Sequence, residues 1–211
     1  MRITSLPRLP MASLIICAMD ADPEQLAAAA EITGKLIDAV GDDQWALPTP
    51  CEDWTVRDLV EHVVGGNDGF TSALHRQLTA SGPPALRSGD LATQYGRSVQ
   101  ELVQAFRQPG ALERMVSVPF GTVPGAVALH LRITELLVHG WDVAQATGQT
   151  VAFPEDLAEQ ELAFSRGALK NVPAGRRPFA PPEPVGDDAP AIDRLAAFLG
   201  RSVAGPTAGA G

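Results

Sequence analysis

An all-α fold, a four-helix bundle with short extra helices at its C-terminal end, is the class this sequence predicts. Four segments of roughly 17 to 24 residues carry apolar residues at helical spacing between cap and breaker signals. Strand-like alternation is confined to one short stretch. With 211 residues, 45% of them hydrophobic, the chain suits one domain with a sizeable core. We read 1–19 as an N-terminal extension, 20–201 as the helical domain and 202–211 as a disordered tail, since Ala204 to Gly211 is entirely Gly, Ala, Pro or Thr.

In the extension, Pro10 to Ala18 is apolar and follows Arg2 and Arg8, like the core of a signal peptide. No small-x-small cleavage site follows, and the run is too short to cross a bilayer. Asp22 and Pro23 then supply an N-cap and a first helical residue, and the alanine-rich run Glu24 to Val40 stops at Gly41. Leu47-Pro48-Thr49-Pro50-Cys51 is a stiff extended connection.

Thr55, with Asp58 three positions on, makes a capping box with a shortened acid. The helix it starts runs from Val56 to Leu78, with Leu59, Val63, Phe70, Leu74 and Leu78 facing the core. Ser81-Gly82-Pro83-Pro84 breaks it, and Asp90 begins a third helix to Gln108, ended by Pro109-Gly110. Arg114 to Pro119 alternates weakly and reads as a strand or extended arm entering a turn at Phe120-Gly121. A short hairpin near 114–123 is one way to build it.

Pro124-Gly125 opens the longest helix, which runs to Thr147 and stops at Gly148. Its apolar residues cover nearly all sides, so it is a central, buried element. A helix from Pro154 to Leu169, a proline-rich connector from Val172 to Val185 and a final helix from Pro190 to Leu199, capped by Asp187 or Asp188, complete the chain.

The net charge of −9 excludes nucleic acid and anionic membrane as main partners, because either needs a basic face. Cys17 and Cys51 are too few for a disulfide framework and suit a reducing cytoplasm. There is no glycine-rich phosphate loop, CxxC pair or Ser-His-Asp order.

The chemistry concentrates in two helices. Glu135 and His139 lie one turn apart on one face, with Cβ atoms about 5–6 Å apart, and His62 is a third donor from another helix. Two imidazoles and a carboxylate are the ligand set of catalytic zinc and of mononuclear iron(II), both of which keep positions open for water or substrate. A carboxylate among Ile133, Leu136, Leu137 and Val138 is costly to ionise without a positive partner. A divalent cation supplies one; so does Arg132, one turn earlier, as a plain ion pair.

Asp142 extends the stripe by another turn. It can hold the ring of His139 or reach bound water, or it is a helix-surface acid. Gly65, Gly66 and Gly69 continue the stripe of His62 without side chains, leaving a pocket open or permitting close helix packing. His75 and His130 lie thirteen and five residues from His62 and Glu135; at about 100° per residue both point away from the stripe and read as surface residues. Cys51 is a reactive thiol near a helix start or a small buried residue fixing its loop. Trp54 and Trp141 flank the two ligand stretches as core or pocket wall.

Three stretches together resemble a known family: Thr49-Pro50-Cys51-Glu52-Asp53-Trp54-Thr55-Val56-Arg57-Asp58-Leu59-Val60-Glu61-His62-Val63-Val64-Gly65; Pro119-Phe120-Gly121-Thr122-Val123-Pro124-Gly125; and Glu135-Leu136-Leu137-Val138-His139-Gly140-Trp141-Asp142. They resemble the actinobacterial metal-binding branch of the DinB-like superfamily, related to the N-terminal domain of mycothiol-dependent maleylpyruvate isomerase. The resemblance implies a four-helix bundle holding one divalent metal, usually zinc or nickel, through His62, Glu135 and His139; the ligand set itself keeps iron open beside zinc, the first choice. It also implies a small-molecule thiol such as mycothiol as co-substrate and an electrophile as the second partner, in a thiol S-transferase or isomerase-like enzyme. The isomerase resembled has a further C-terminal domain that contributes to catalysis, so a different reaction is expected here. A metal-water hydrolase, a non-catalytic metal or small-ligand binding protein and a homodimer stay open.

Overall fold

The computed structural model describes residues 22–51, 53–75, 89–119, 121–170, 172–173 and 179–203. The N-terminal extension, the glycine- and alanine-rich tail from Ala204, Leu78 with the break after it, and Phe120 lie outside the described residues. Six helices and one hairpin make up the described part: α1 Pro23–Asp38, α2 Val56–His75, α3 Leu91–Phe106, β1 Met115–Val118, β2 Gly121–Pro124, α4 Gly125–Thr147, α5 Glu155–Leu169 and α6 Ala191–Phe198.

Helices α1 to α4 form the four-helix bundle. α1 packs on α4 and α3, and α2 packs on α3 and α4, so consecutive helices α1 and α2 sit at opposite corners. α5 and α6 lean on α4 from outside the bundle and on each other. That arrangement encloses α4 on every side. Its buried residues include Val127, Leu129, Ile133, Leu136, Leu137, Val138, Trp141 and Val143, as an apolar circumference requires. No helix among the described residues is long and apolar enough to cross a membrane.

The starts of the helices follow local chemistry. The Asp22 carboxylate accepts from the Glu24 amide at 2.9 Å, and Asp90 accepts from the Thr93 amide at 2.8 Å. Thr55 and Asp58 bond reciprocally, Thr55 N to Asp58 Oδ2 at 3.0 Å and Asp58 N to Thr55 Oγ1 at 3.2 Å, which is the capping box with aspartate in place of glutamate. α4 has no side-chain cap. Its first amides reach the preceding turn instead: Gly125 N donates to Arg114 O at 2.7 Å and Ala126 N to Leu112 O at 2.8 Å. A Cβ on Gly125 would lie 1.9 Å from the Ala111 carbonyl oxygen, so this approach admits only glycine. The hairpin before it pairs Val116 with Val123, and both are buried.

One cap differs from expectation. Asp187 and Asp188 do not cap α6; Pro190 occupies the N-cap position with no side-chain bond of its own. The Ala191 amide donates to Glu155 Oε1 at 2.8 Å, so the cap comes from the first turn of α5.

Candidate metal centre

Two bundle helices that touch, α2 and α4, carry the three donors. On α2, His62 falls one turn past the capping box, on the edge next to the buried Leu59 and Val63. On α4, the i, i+4 spacing stacks Glu135 and His139 on the face toward α2. One donor atom from each of the three residues lies within 4.8 Å of the other two. Tetrahedral ligands on bonds of about 2.0–2.1 Å sit about 3.4 Å apart, and His62 Nε2 to Glu135 Oε2 is 3.4 Å. The two rings meet edge to face at a centroid distance of 5.2 Å.

The trio is graded from open to sealed. The side chains of His62, Glu135 and His139 are 40%, 18% and 5% exposed, so anything entering approaches along His62. Trp54, half-buried, packs beside both histidines, its ring 4.6 Å from that of His62 and 6.2 Å from that of His139. The turn before it holds it in place: the Thr49 hydroxyl and the Trp54 amide both donate to Cys51 O, at 3.1 and 3.2 Å. Asp53, at φ 66°, takes the left-handed conformation that turn demands. Cys51 is half-buried in the loop. Trp141 is core, buried, with its indole N–H donating to Asp193 at 2.7 Å.

Both carboxylates of the stripe have arginine partners. Arg132 Nη1 donates to Glu135 Oε2 at 2.9 Å, and its Nη2 donates to Asn67 Oδ1 at 2.7 Å. Glu135 therefore already has a cationic partner, and the need for charge compensation is not itself an argument for a metal. Burial favours protonated Glu135, but the hydrogen bond from His62 and the charges of Arg132 and His139 outweigh it and hold the carboxyl at about 2. Asp142 is fully buried rather than on the surface. It accepts from His139 Nδ1 at 3.1 Å, which commits Nδ1 and leaves Nε2 for a ligand. Arg201 forks onto it, Nε to Oδ1 at 3.2 Å and Nη2 to Oδ2 at 2.9 Å. Burial pushes Asp142 up, while the bonds from His139 and Arg201 bring it below the ordinary range. Nothing local in sequence points to Arg201, which lies 59 residues from Asp142.

The glycine stripe divides. A Cβ on Gly65 or Gly69 meets nothing within 4 Å, whereas on Gly66 it would lie 2.5 Å from Arg132 Nη1. Gly65 and Gly69 are exposed to open space, and Gly66 serves close packing.

His130 does not lie on the surface. It is fully buried, its Nδ1 2.7 Å from Glu161 Oε1, and its ring stacks on Phe164 with centroids 4.7 Å apart. Thr134 Oγ1 donates to Glu161 Oε2 at 2.8 Å. The face that points away from the ligand stripe is covered by α5, which is why rotation about the helix gave the wrong environment. His75 is half-exposed at the end of α2.

Comparison with known proteins places the chain in a family. Residues 26–144 match the model of the mycothiol maleylpyruvate isomerase N-terminal domain, a segment that contains all three donors. Two uncharacterized proteins of Mycobacterium tuberculosis, one in each of two strains, are 38% identical over 162 residues, covering 76% of this chain and 87% of theirs. Crystal structures of mycothiol-dependent maleylpyruvate isomerase and of a mutant of it share the fold, with a TM-score of 0.52 at 21% and 20% identity, over 74% of this chain and 68% of theirs. A DinB-like protein of Bacillus subtilis matches at 16% identity over 62% of this chain and 95% of its own, with a TM-score of 0.48. By the span of the family match and the identity to the mycobacterial relatives, this chain belongs to the mycothiol maleylpyruvate isomerase N-terminal domain family.

Proposed function

We propose that the protein is a metal-dependent enzyme that activates a low-molecular-weight thiol, mycothiol or a close analogue, for S-transfer or isomerisation of an electrophilic substrate. His62, Glu135 and His139 hold the divalent ion, with zinc the first choice and nickel or iron the alternatives. The observation that carries this reading is the convergence of three donors from two helices within 4.8 Å, open on the His62 side. A bound divalent ion supplies Lewis acidity, lowering the pKa of a thiol that joins it so that the thiolate forms near neutral pH.

The chain's own residues favour that ligand class. Arg132 neutralises Glu135 and Arg201 neutralises Asp142, so a divalent charge at the trio is uncompensated by carboxylates. An anion completes such a centre better than a neutral ligand does. His62 marks the entry, and Trp54 packs its ring against both histidines. A reducing cytoplasm is the compartment this chemistry calls for, since free thiols persist there. Membership of a family named for mycothiol chemistry adds support for the thiol.

The Arg132–Glu135 bond favours a second reading, a hydrogen-bonded polar cluster that takes no metal. Cobalt substitution separates the two. Protein loaded with one equivalent of cobalt is expected to gain a sulfur-to-cobalt charge-transfer band on addition of mycothiol and to release a proton near neutral pH. His139→Ala is expected to do neither. Loaded wild-type protein that shows no spectral change at millimolar thiol overturns the thiol reading, and wild-type protein that takes up no cobalt supports the metal-free cluster.

A further inference from the structure

The three donors all lie within residues 26–144, which carry the family match, yet one of the ligands is held in place by a residue outside that span. We propose that Arg201 is a positioning residue for the metal centre: through Asp142 it fixes the ring of His139, so the C-terminal segment after α6 is a working part of the site. The inference rests on the metal reading above and adds a residue to it.

Geometry carries the case. Asp142 has no exposure and Arg201 has 5%. The guanidinium meets both carboxylate oxygens, at 3.2 and 2.9 Å, and its remaining Nη1 donates to Leu199 O at 2.9 Å. A two-point fork of this kind fixes the plane of the carboxylate as well as its charge. The same Oδ2 that takes Arg201 Nη2 also accepts from His139 Nδ1 at 3.1 Å, so the orientation of the carboxylate becomes the orientation of the ring. Outer partners of this type set the tautomer and aim of a metal-binding imidazole.

The chain is shaped to deliver Arg201. α6 buries Ile192, Leu195, Ala196 and Ala197, and Trp141, the neighbour of Asp142, donates to Asp193 on it. After α6 the chain reverses through Gly200 at φ 86°, where a Cβ would lie 2.6 Å from that of Ala180, so the turn requires glycine. Gly200 N donates to Ala197 O and Arg201 N to Ala196 O, both at 3.0 Å. These bonds close the helix end and turn the arginine inward. Arg132 plays the matching part for Glu135 from within α4; Arg201 does it from the far end of the chain.

The test is a double-mutant cycle on the full chain, read as cobalt and zinc affinity by competition with a chromophoric chelator. Asp142→Asn is expected to bind metal about 10- to 100-fold more weakly than wild type. Arg201→Met is expected to lose affinity in the same range, and Arg201→Lys, which keeps the charge without the fork, to fall between. In the Asp142→Asn background, Arg201→Met is expected to cost nothing further, because its effect passes through the carboxylate. If Arg201→Met leaves Asp142 unpaired and fails to fold, Arg201→Lys against wild type and the double variant against Asp142→Asn still complete the comparison. Wild-type affinity in Arg201→Lys, or losses that multiply in the double variant, overturn the proposal. A wild-type protein that binds no metal overturns the metal reading instead. The nitrogen-15 spectrum of metal-free protein then still reads the positioning: His139 is expected as the Nδ1–H tautomer in wild type and as a mixture in Arg201→Lys, and identical ring spectra in the two overturn it.

Discussion

Helix α4 carries two histidine–carboxylate systems, nine residues and therefore about 180° apart. On one face, His130, Glu161 and Thr134 are sealed between α4 and α5, with the hydrogen-bonded His130 and Glu161 side chains without exposure. On the other, His139 and Glu135 meet His62 at an edge where that histidine is 40% exposed. The groups are nearly the same, yet only one set gathers three side chains that could hold a metal ion among the described residues. Polar groups on a buried helix do not by themselves make a site. Access separates the two, since each histidine commits Nδ1 to a carboxylate. His139 commits Nδ1 to Asp142, which leaves Nε2 for a ligand beside the part-exposed His62, whereas His130 Nε2 is buried without a hydrogen-bond partner and without a route to solvent.

The largest expected effect breaks the sealed side. His130→Ala leaves Glu161 buried with only its threonine and a distant glutamine amide, and removal of one member of a buried pair costs about 3–5 kcal/mol. Chemical denaturation should show that loss, while metal content per folded molecule stays at the wild-type level. A loss below about 1 kcal/mol would mean that the pair is not a structural element of the fold.

Acid reads the open side. Glu135 titrates at about 2 in the fold against an ordinary value of 4.5. Its contribution is therefore fully present above about pH 4.5 and is lost as pH falls toward about 2, because the unfolded chain takes up the proton first. The amount is on the order of 3 kcal/mol. Metal-free Glu135→Gln should lack this part of the acid slope, and an unchanged slope in that variant would contradict the assignment.

A smaller pair of effects sharpens where the open side ends. Gly66→Ala places a methyl group 2.5 Å from Arg132 Nη1 and should destabilise by about 1–3 kcal/mol, as overpacking does. Gly69→Ala meets nothing and should stabilise α2 by about 0.5–1 kcal/mol through helix propensity alone. Equal responses at the two positions would merge what the structure separates.

The open site was more legible in the sequence than the sealed one, and the reason is range. Glu135 and His139 announce themselves by spacing within one helix, and the bounds of α4 follow from Pro124-Gly125 and from Gly148, which takes the left-handed conformation at φ 71°. The capping box at Thr55 and Asp58 is likewise local. The environment of His130 depends on Glu161, 31 residues away on another helix, and angle about the helix axis could not reveal that α5 covers that face. The α6 cap from Glu155 and the Arg201 fork have the same character: their partners lie 36 and 59 residues off. Gly66 fails for a different reason, since a glycine stripe reads alike whether space or a guanidinium lies beside it.

The two faces of α4 differ most sharply if the trio holds a metal and the sealed cluster does not. Metal stoichiometry by plasma mass spectrometry on purified wild type, His62→Ala, Glu135→Ala, His139→Ala and Glu161→Gln tests it most directly. One equivalent of divalent metal is expected in wild type and Glu161→Gln, and none in the three trio variants. Full metal content retained in all three of those variants, or a wild-type protein that takes up no divalent metal at all, would contradict it.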